Sequence, residues 1–176
     1  IVFGFDPLNI LRCVSNTFSK RKSDILNAKT FDEFYDIFEQ EMFFDLEEAD
    51  KIGKGFQAAR SRDVNLVSNI LIDGCIENAK SVTRGGTQKY IAVALLIGIA
   101  NVIDSLSVTN QIVFNEKRVT MAQLANALEN NWNGYEELRA YILKNGKFFG
   151  NDEQSSNDIA HRFFKSLDKH NTADNY

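Results

Sequence analysis

Tyr90-Ile91-Ala92-Val93-Ala94-Leu95-Leu96-Ile97 is an unbroken apolar run, preceded by Gly85-Gly86 and closed by Gly98. It has no alternation of polar and apolar positions, so it fits a strand buried on both faces, as in a parallel sheet or barrel covered by helices. A buried helix is the competing reading, since Ala and Leu favour one; the run's length and its flanking glycines favour the strand. Every buried backbone N–H and C=O needs a partner, and one strand cannot pair with itself. The expectation is that its neighbours lie in polypeptide outside this sequence. Ile1-Val2-Phe3-Gly4-Phe5 reads as a further strand lacking its earlier partner, which suggests that the sequence opens in mid-fold.

Around that run the pattern is helical. Thr30-Phe31-Asp32-Glu33 is a capping box, with the Thr30 hydroxyl taking the Glu33 amide and the Glu33 carboxylate reaching back to Thr30. Behind it Phe31, Phe34, Tyr35, Phe38, Met42, Leu46 and Ala49 recur at helical spacing, widened by Phe43 and Phe44. Burying Phe31, Phe34, Phe38, Met42 and Leu46 is worth roughly 8–15 kcal/mol of gross transfer free energy. One small domain is not expected to cover so broad a face. A second helix is expected from about Asp63 to Lys80, with Leu66, Ile70 and Leu71 inward and Cys75 one turn on. After Gly98, Asn101 and Asp104 suggest a capped helix start. Thr120-Met121-Ala122-Gln123 opens another helix, carrying Leu124 and Leu128 towards Trp132. A short helix follows from about Tyr135 to Leu143. The last, opened by Ser155 or Ser156, puts Ile159, Ala160, Phe163, Phe164 and Leu167 on one side. Ser19 to Lys29, Gly53 to Asp63, Ser81 to Gly86 and Gly146 to Gln154 read as linkers too short to separate domains. The fold class expected is α/β, predominantly helical.

The chain has 176 residues, 44% hydrophobic and 25% charged, which suits one globular domain rather than two or a disordered segment. A net charge of -4 provides no basic field for nucleic acid or anionic lipid. No run reaches the ~18–20 apolar residues that span a bilayer. Cys13 and Cys75, with only His161 and His170 to assist, make neither a disulfide framework nor a zinc site, and the natural setting is reducing and intracellular.

Three local patterns invite a catalytic reading. In Asp73-Gly74-Cys75-Ile76-Glu77 the thiol would need Glu77 as base, yet residues two apart on a helix do not face each other, and a thiol on an apolar helix is usually a small packed hydrophobe. Gly85-Gly86-Thr87 lacks the lysine and glycine spacing of a phosphate loop, so a turn is the simpler reading. His161 has no Cys, Asp or His at ligand spacing and is expected at the surface. From the residues alone, no catalytic constellation is complete.

Several motifs in order nevertheless carry a specific likeness. They are Asp73-Gly74-Cys75-Ile76-Glu77, Gly85-Gly86, Gly98-Ile99-Ala100-Asn101-Val102-Ile103-Asp104-Ser105-Leu106, Val113-Phe114-Asn115-Glu116-Lys117, Val119-Thr120-Met121, Gly134-Tyr135-Glu136-Glu137-Leu138-Arg139 and Gly150-Asn151-Asp152. Their order and separations resemble the pyruvate formate-lyase domain of glycyl radical enzymes, especially the branch with glycerol and choline-type lyases and arylacetate decarboxylases. The likeness runs from about Thr30 to His170. On it, residues 30–176 are the C-terminal part of such a domain and residues 1–29 a poorly matched N-terminal segment.

The resemblance implies a partial segment of an α/β barrel in which a glycine-radical loop and a cysteine loop meet. It implies an oxygen-sensitive cytoplasmic lyase or transferase, formate C-acetyltransferase-like or a dehydratase or decarboxylase relative. A radical S-adenosylmethionine activating enzyme would install the glycyl radical, and the parent protein is expected to be a homo-oligomer. Neither catalytic residue transfers. Cys75 precedes Gly85 by ten positions, which suits the family's second, non-catalytic cysteine, and Gly134 opens a helix that precedes the radical region. The family's usual Tyr-Asn pair falls on Lys89-Tyr90, so Tyr90 and Ala92 are the expected substrate-lining residues. No cofactor or metal is expected on this chain itself. Its partners would be the remainder of the barrel and the activating enzyme, without nucleic acid or membrane. The competing reading is a stand-alone, non-catalytic scaffold derived from such a domain.

Overall fold

The computed structural model describes residues 2–60, 62, 65–87 and 90–173, with the side chains of 2–8, 57, 60, 68, 90–95 and 171–173 outside that description. The elements in chain order are β1 (Val2–Asn9), α1 (Leu11–Lys20), α2 (Lys22–Asn27), α3 (Phe31–Arg60), α4 (Leu66–Leu71), β2 (Tyr90–Ile97), α5 (Ile99–Thr109), α6 (Met121–Glu129), α7 (Glu136–Asn145) and α8 (Gln154–Ala173). They form two compact units. One comprises Ile1–Asn9 with Asp45–Ile97, the other Ile10–Phe44 with Gly98–Tyr176.

In the first unit the apolar run is a strand with the expected bounds, Tyr90–Ile97. Its partner is not outside the sequence. β1 pairs with it in parallel, in register from Val2 against Tyr90 to Asn9 against Ile97. The expectation of missing partners is corrected to this extent: each strand has one edge satisfied from within the chain, and among the described residues the sheet has two strands. Pro7, which has no N–H to give the ladder, marks β1 as an edge strand of that pair.

The second helix expected over Asp63 to Lys80 is reduced to the short α4. Gly74, at φ 94, turns the backbone left-handed, and 73–79 run as successive turns, which places Cys75 in a turn and not on a helix. Leu66, Ile70 and Leu71 are exposed rather than inward. The reading of Gly53 to Asp63 as a linker is also corrected, because α3 continues through Gly53 and Gly55 to Arg60. Two glycines cost about 1 kcal/mol each inside a helix, too little to end one that is already propagating.

The second unit holds most of the core. Phe34, Tyr35, Phe38 and Met42 of α3 are buried, and the chain covers this stripe itself. Phe34 meets Phe18 and Phe114 at ring separations of 5.9 and 6.1 Å, and Phe38 meets Phe163 at 6.5 Å. The expectation that missing polypeptide covers the aromatic stripe therefore fails for these rings. Phe31 is half-buried and Phe44 exposed. α5 adds Val102, Ile103 and Leu106, and packs on α8 and α1. Residues 19–29, read as a linker, are mostly helix: α2 buries Ile25 and packs on α6. A second cluster gathers Ile112, Leu124 and Ile142, with Trp132, Tyr141 and Phe148 packed against it.

Helix starts agree with the expected caps in part. Glu33 donates its amide to Thr30 Oγ1 at 3.2 Å, but its carboxylate accepts from the Lys29 N–H, one residue earlier than expected. Thr120 and Gln123 form the complete reciprocal box. α5 begins at Ile99 on Gly98, whose φ of 89 only glycine adopts freely, so Asn101 lies inside the helix and does not cap it. α8 begins at Gln154, just before the expected serines, and Phe164 and Leu128 are exposed rather than inward.

Truncating the stripe where it is fully covered should be costly. Phe38→Ala is expected to lose about 3–5 kcal/mol in urea unfolding, whereas Phe44→Ala should change stability by less than about 1 kcal/mol. Equal losses would show that the stripe is not packed as described.

Candidate functional site

Tyr90 and Ala92 stand two apart on β2, the spacing that places residues on one strand face, opposite Val2 and Gly4 of β1. Their side chains lie outside the described residues. What the structure does describe is the turn that leads into this strand.

That turn is fixed by backbone and amide groups. Ser81 caps a 3-10 turn, Val82–Arg84, which ends on left-handed Gly85. Gly86 donates its N–H to the Ser81 carbonyl at 2.9 Å. Its carbonyl accepts from Asn78 Nδ2 at 2.9 Å, and the Val82 N–H reaches Asn69 Oδ1 at 3.0 Å. A Cβ on Gly86 would lie 2.0 Å from the Lys80 carbonyl oxygen, so no other residue fits without moving backbone. Gly85-Gly86 is therefore a turn, as expected, and its second glycine is required by close approach.

Cys75 is buried beside this turn, on a cavity of about 520 Å³ also lined by Asn69, Ala79, Lys80, Ser81 and Arg84. The Glu77 carboxylate accepts the Gly74 N–H at 3.0 Å and is thus engaged with backbone. Neither Cys75 nor Cys13 is in a disulfide among the described residues, and both are buried. Among the described residues no three His, Cys, Asp or Glu gather to hold a metal, and no described helix is long and apolar enough to cross a membrane. His161 is exposed, as expected.

The remaining motif residues act as turn anchors in the second unit. Glu116 accepts from Gln111 Nε2 at 2.6 Å and from the Tyr141 hydroxyl at 2.9 Å. Arg118 stacks on the Tyr141 ring at 3.6 Å. The Gln111 hydrogen bond is the main reason the Glu116 carboxyl sits below the usual glutamate range, with the Tyr141 hydroxyl and Arg118 adding to it. Gln111 also donates to the Asn145 carbonyl and accepts the Lys147 N–H. Asp104 accepts the Phe149 N–H at 2.7 Å, and Ser107 donates to the Lys147 carbonyl at 2.7 Å. Gly134, at φ 79, gives its N–H to Glu136 in an exposed turn that opens α7. Asn69, Asn78 and Gln111 escaped the sequence reading. Gln111 gave no signal of its own, standing beside Thr109 and Asn110 in a polar step before Ile112-Val113-Phe114.

Comparison with known proteins adds the wider frame. Residues 15–175 match the family described as pyruvate formate lyase-like. A probable dehydratase of Escherichia coli (strain K12) is 27% identical over 143 residues, covering 80% of this chain and 18% of that protein. The trans-4-hydroxy-L-proline dehydratase of Clostridioides difficile is 25% identical over 166 residues, covering 93% of this chain and 20% of the relative. The chain thus spans about a fifth of the length of these curated relatives. Among solved structures, the glycerol-bound B12-independent glycerol dehydratase of Clostridium butyricum superposes with a TM-score of 0.84 at 25% identity, over 96% of this chain and 23% of that one.

Two outcomes are expected here. Gly86→Ala should cost at least about 2 kcal/mol, because the backbone of Lys80 must move; a neutral substitution in urea unfolding would contradict the close approach. Because the folded Glu116 has a depressed pKa, its contribution is present above the ordinary glutamate range and lost as pH falls through the folded value. Glu116→Gln should therefore lose less stability than the parent between about pH 7 and about pH 3, and identical acid losses would mean the anchor does not form.

Proposed function

Since this chain belongs to the pyruvate formate lyase-like family of glycyl radical enzymes, we propose that it is the C-terminal part of the α/β barrel of a dehydratase or lyase of that family, and that it is inert alone. Carrying this reading most is the overlay on the glycerol dehydratase, which takes up nearly the whole chain and under a quarter of the enzyme. The parent enzyme would be a cytoplasmic homo-oligomer, activated by a radical S-adenosylmethionine enzyme. The glycyl radical supplies hydrogen-atom abstraction to such a site.

Cys75 and Gly134 do not fit as the radical pair. Cys75 is packed in a turn whose neighbouring carboxylate is bound to backbone, and Gly134 lies in the turn that opens α7, where its N–H is given to Glu136. We assign this chain the walls instead. Tyr90 and Ala92 on β2 line the substrate cavity, and the Gly86 turn sets where that strand begins. The exposed apolar side chains Leu66, Val67, Ile70, Leu71 and Ile76, all in the first unit, are the surface that the rest of the barrel covers.

In the full-length protein, activated anaerobically, an organic radical doublet is expected by electron paramagnetic resonance. Turnover is to be assayed with glycerol and trans-4-hydroxy-L-proline as first probes. The 176-residue chain alone should show neither radical nor turnover, and should self-associate or bind a hydrophobic dye. Cys75→Ala in the full-length protein should retain turnover, losing at most ~2 kcal/mol of stability. A radical or turnover from the isolated chain, or a folded Cys75→Ala enzyme without activity, would overturn the reading.

A further inference from the structure

The second unit holds a cavity of about 310 Å³ that the turn anchors above do not account for; it is lined by Lys29, Lys117, Arg118, Thr120 and Gln123 over an apolar floor of Val113, Phe114 and Val119. That volume is at the lower end for small-molecule sites, which pair apolar walls with a few placed polar groups. The ammonium groups of Lys29 and Lys117 enter no ion pair among the described residues.

The backbone that carries Lys117 and Arg118 is fixed by its neighbours. Lys117 has φ 52, a left-handed conformation that a lysine rarely adopts and that persists only where neighbours impose it. Both neighbours do so. Glu116 is bound by Gln111 and Tyr141, while Arg118 stacks on Tyr141 and gives its backbone N–H to the Ile112 carbonyl at 2.9 Å. The carboxylate nearest in sequence, Glu116, has both oxygens occupied by these donors and by Arg118, so it does not neutralise Lys117. Thr120 and Gln123 begin α6, whose positive dipole end adds to the same side of the cavity.

We propose that this cavity binds a small phosphomonoester with an apolar body, its phosphate between Lys29, Lys117 and Arg118 and its aryl or alkyl group on Val113, Phe114 and Val119. The cations call for a compact dianion, and the floor distinguishes an organic phosphate from the free ion.

Titration of the full chain with phenyl phosphate, followed by ligand-observed NMR, tests it. Saturation is expected at or below ~1 mM, with inorganic phosphate and benzyl alcohol each binding at least ~5-fold more weakly. Lys117→Asn, which keeps a residue tolerant of positive φ, and Lys29→Gln should each raise the phenyl phosphate dissociation constant ~5-fold or more. Unchanged melting temperatures would show that these variants fold. Phenyl phosphate that fails to saturate, that binds both variants as tightly as the parent, or that binds no better than inorganic phosphate overturns the proposal. Benzyl alcohol binding equally well would do the same, by showing apolar adsorption only.

Discussion

The parallel pairing of β1 with β2 is the constraint on which the architecture depends. A strand must satisfy its ladder groups, and here the partner lies at the opposite end of a long excursion, Val2–Asn9 against Tyr90–Ile97. Parallel strands require a crossover, and this one contains α1 to α4. Closing so long a loop costs only slowly more entropy with each added residue, so the helices between are tolerated. Two strands do not make an independently stable sheet, and Gly98 follows directly on the end of β2. Gly86 admits no side chain against Lys80, and Gly98 turns the chain directly into α5.

The residues that carry the family likeness are mainly those that build turns. Thr120 and Gln123 cap each other, Asp104 and Ser107 hold the segment 147–149, Glu116 is gripped by Gln111 and Tyr141, and Gly134 leads into α7 through Glu136. Each supplies a partner to a backbone or side-chain group that a change of direction would otherwise strand, at a cost of about 1–3 kcal/mol when such a group is buried. Gln111 joins three of these changes of direction through one side chain, binding Glu116, Asn145 and Lys147. Spacing between such motifs is therefore a record of helix lengths and connections, which is why it identifies a fold more readily than a reaction.

Local chemistry explains what was legible beforehand. The apolar run gave the bounds of β2, and Thr120 with Gln123 gave the start of α6, because both signals are complete within a few residues. The segment 19–29 resisted because α2 is stabilised by burying Ile25 in a core assembled from distant residues, not by helix-forming periodicity. The same limit applies to α4: Leu66, Ile70 and Leu71 have helical spacing, but Gly74 interrupts the helix and the apolar side chains face outward. Periodicity reports that a face is apolar and is silent about what covers it. At the site, the expected substrate strand was read correctly as a strand, while Asn69 and Asn78, which fix its approach, were invisible because an amide's value lies in its partner.

The two units also differ in how far each completes its own burial. The second closes most of its aromatic stripe with Phe18, Phe114 and Phe163, and its remaining large exposed side chains, such as Phe44, Leu143 and Phe164, are dispersed along the chain. The first leaves Leu66, Val67, Ile70, Leu71 and Ile76 in water within one short stretch, together with Ile52 and Phe56. At about 1.5–3 kcal/mol for covering each such side chain, that stretch forgoes far more than the ordinary scatter of surface apolar residues explains. The unsatisfied surface belongs to the unit that carries the sheet, and sheets of this parallel kind occur almost only with both faces covered. Sheet and surplus apolar surface fall in one unit, and most of the described buried core falls in the other.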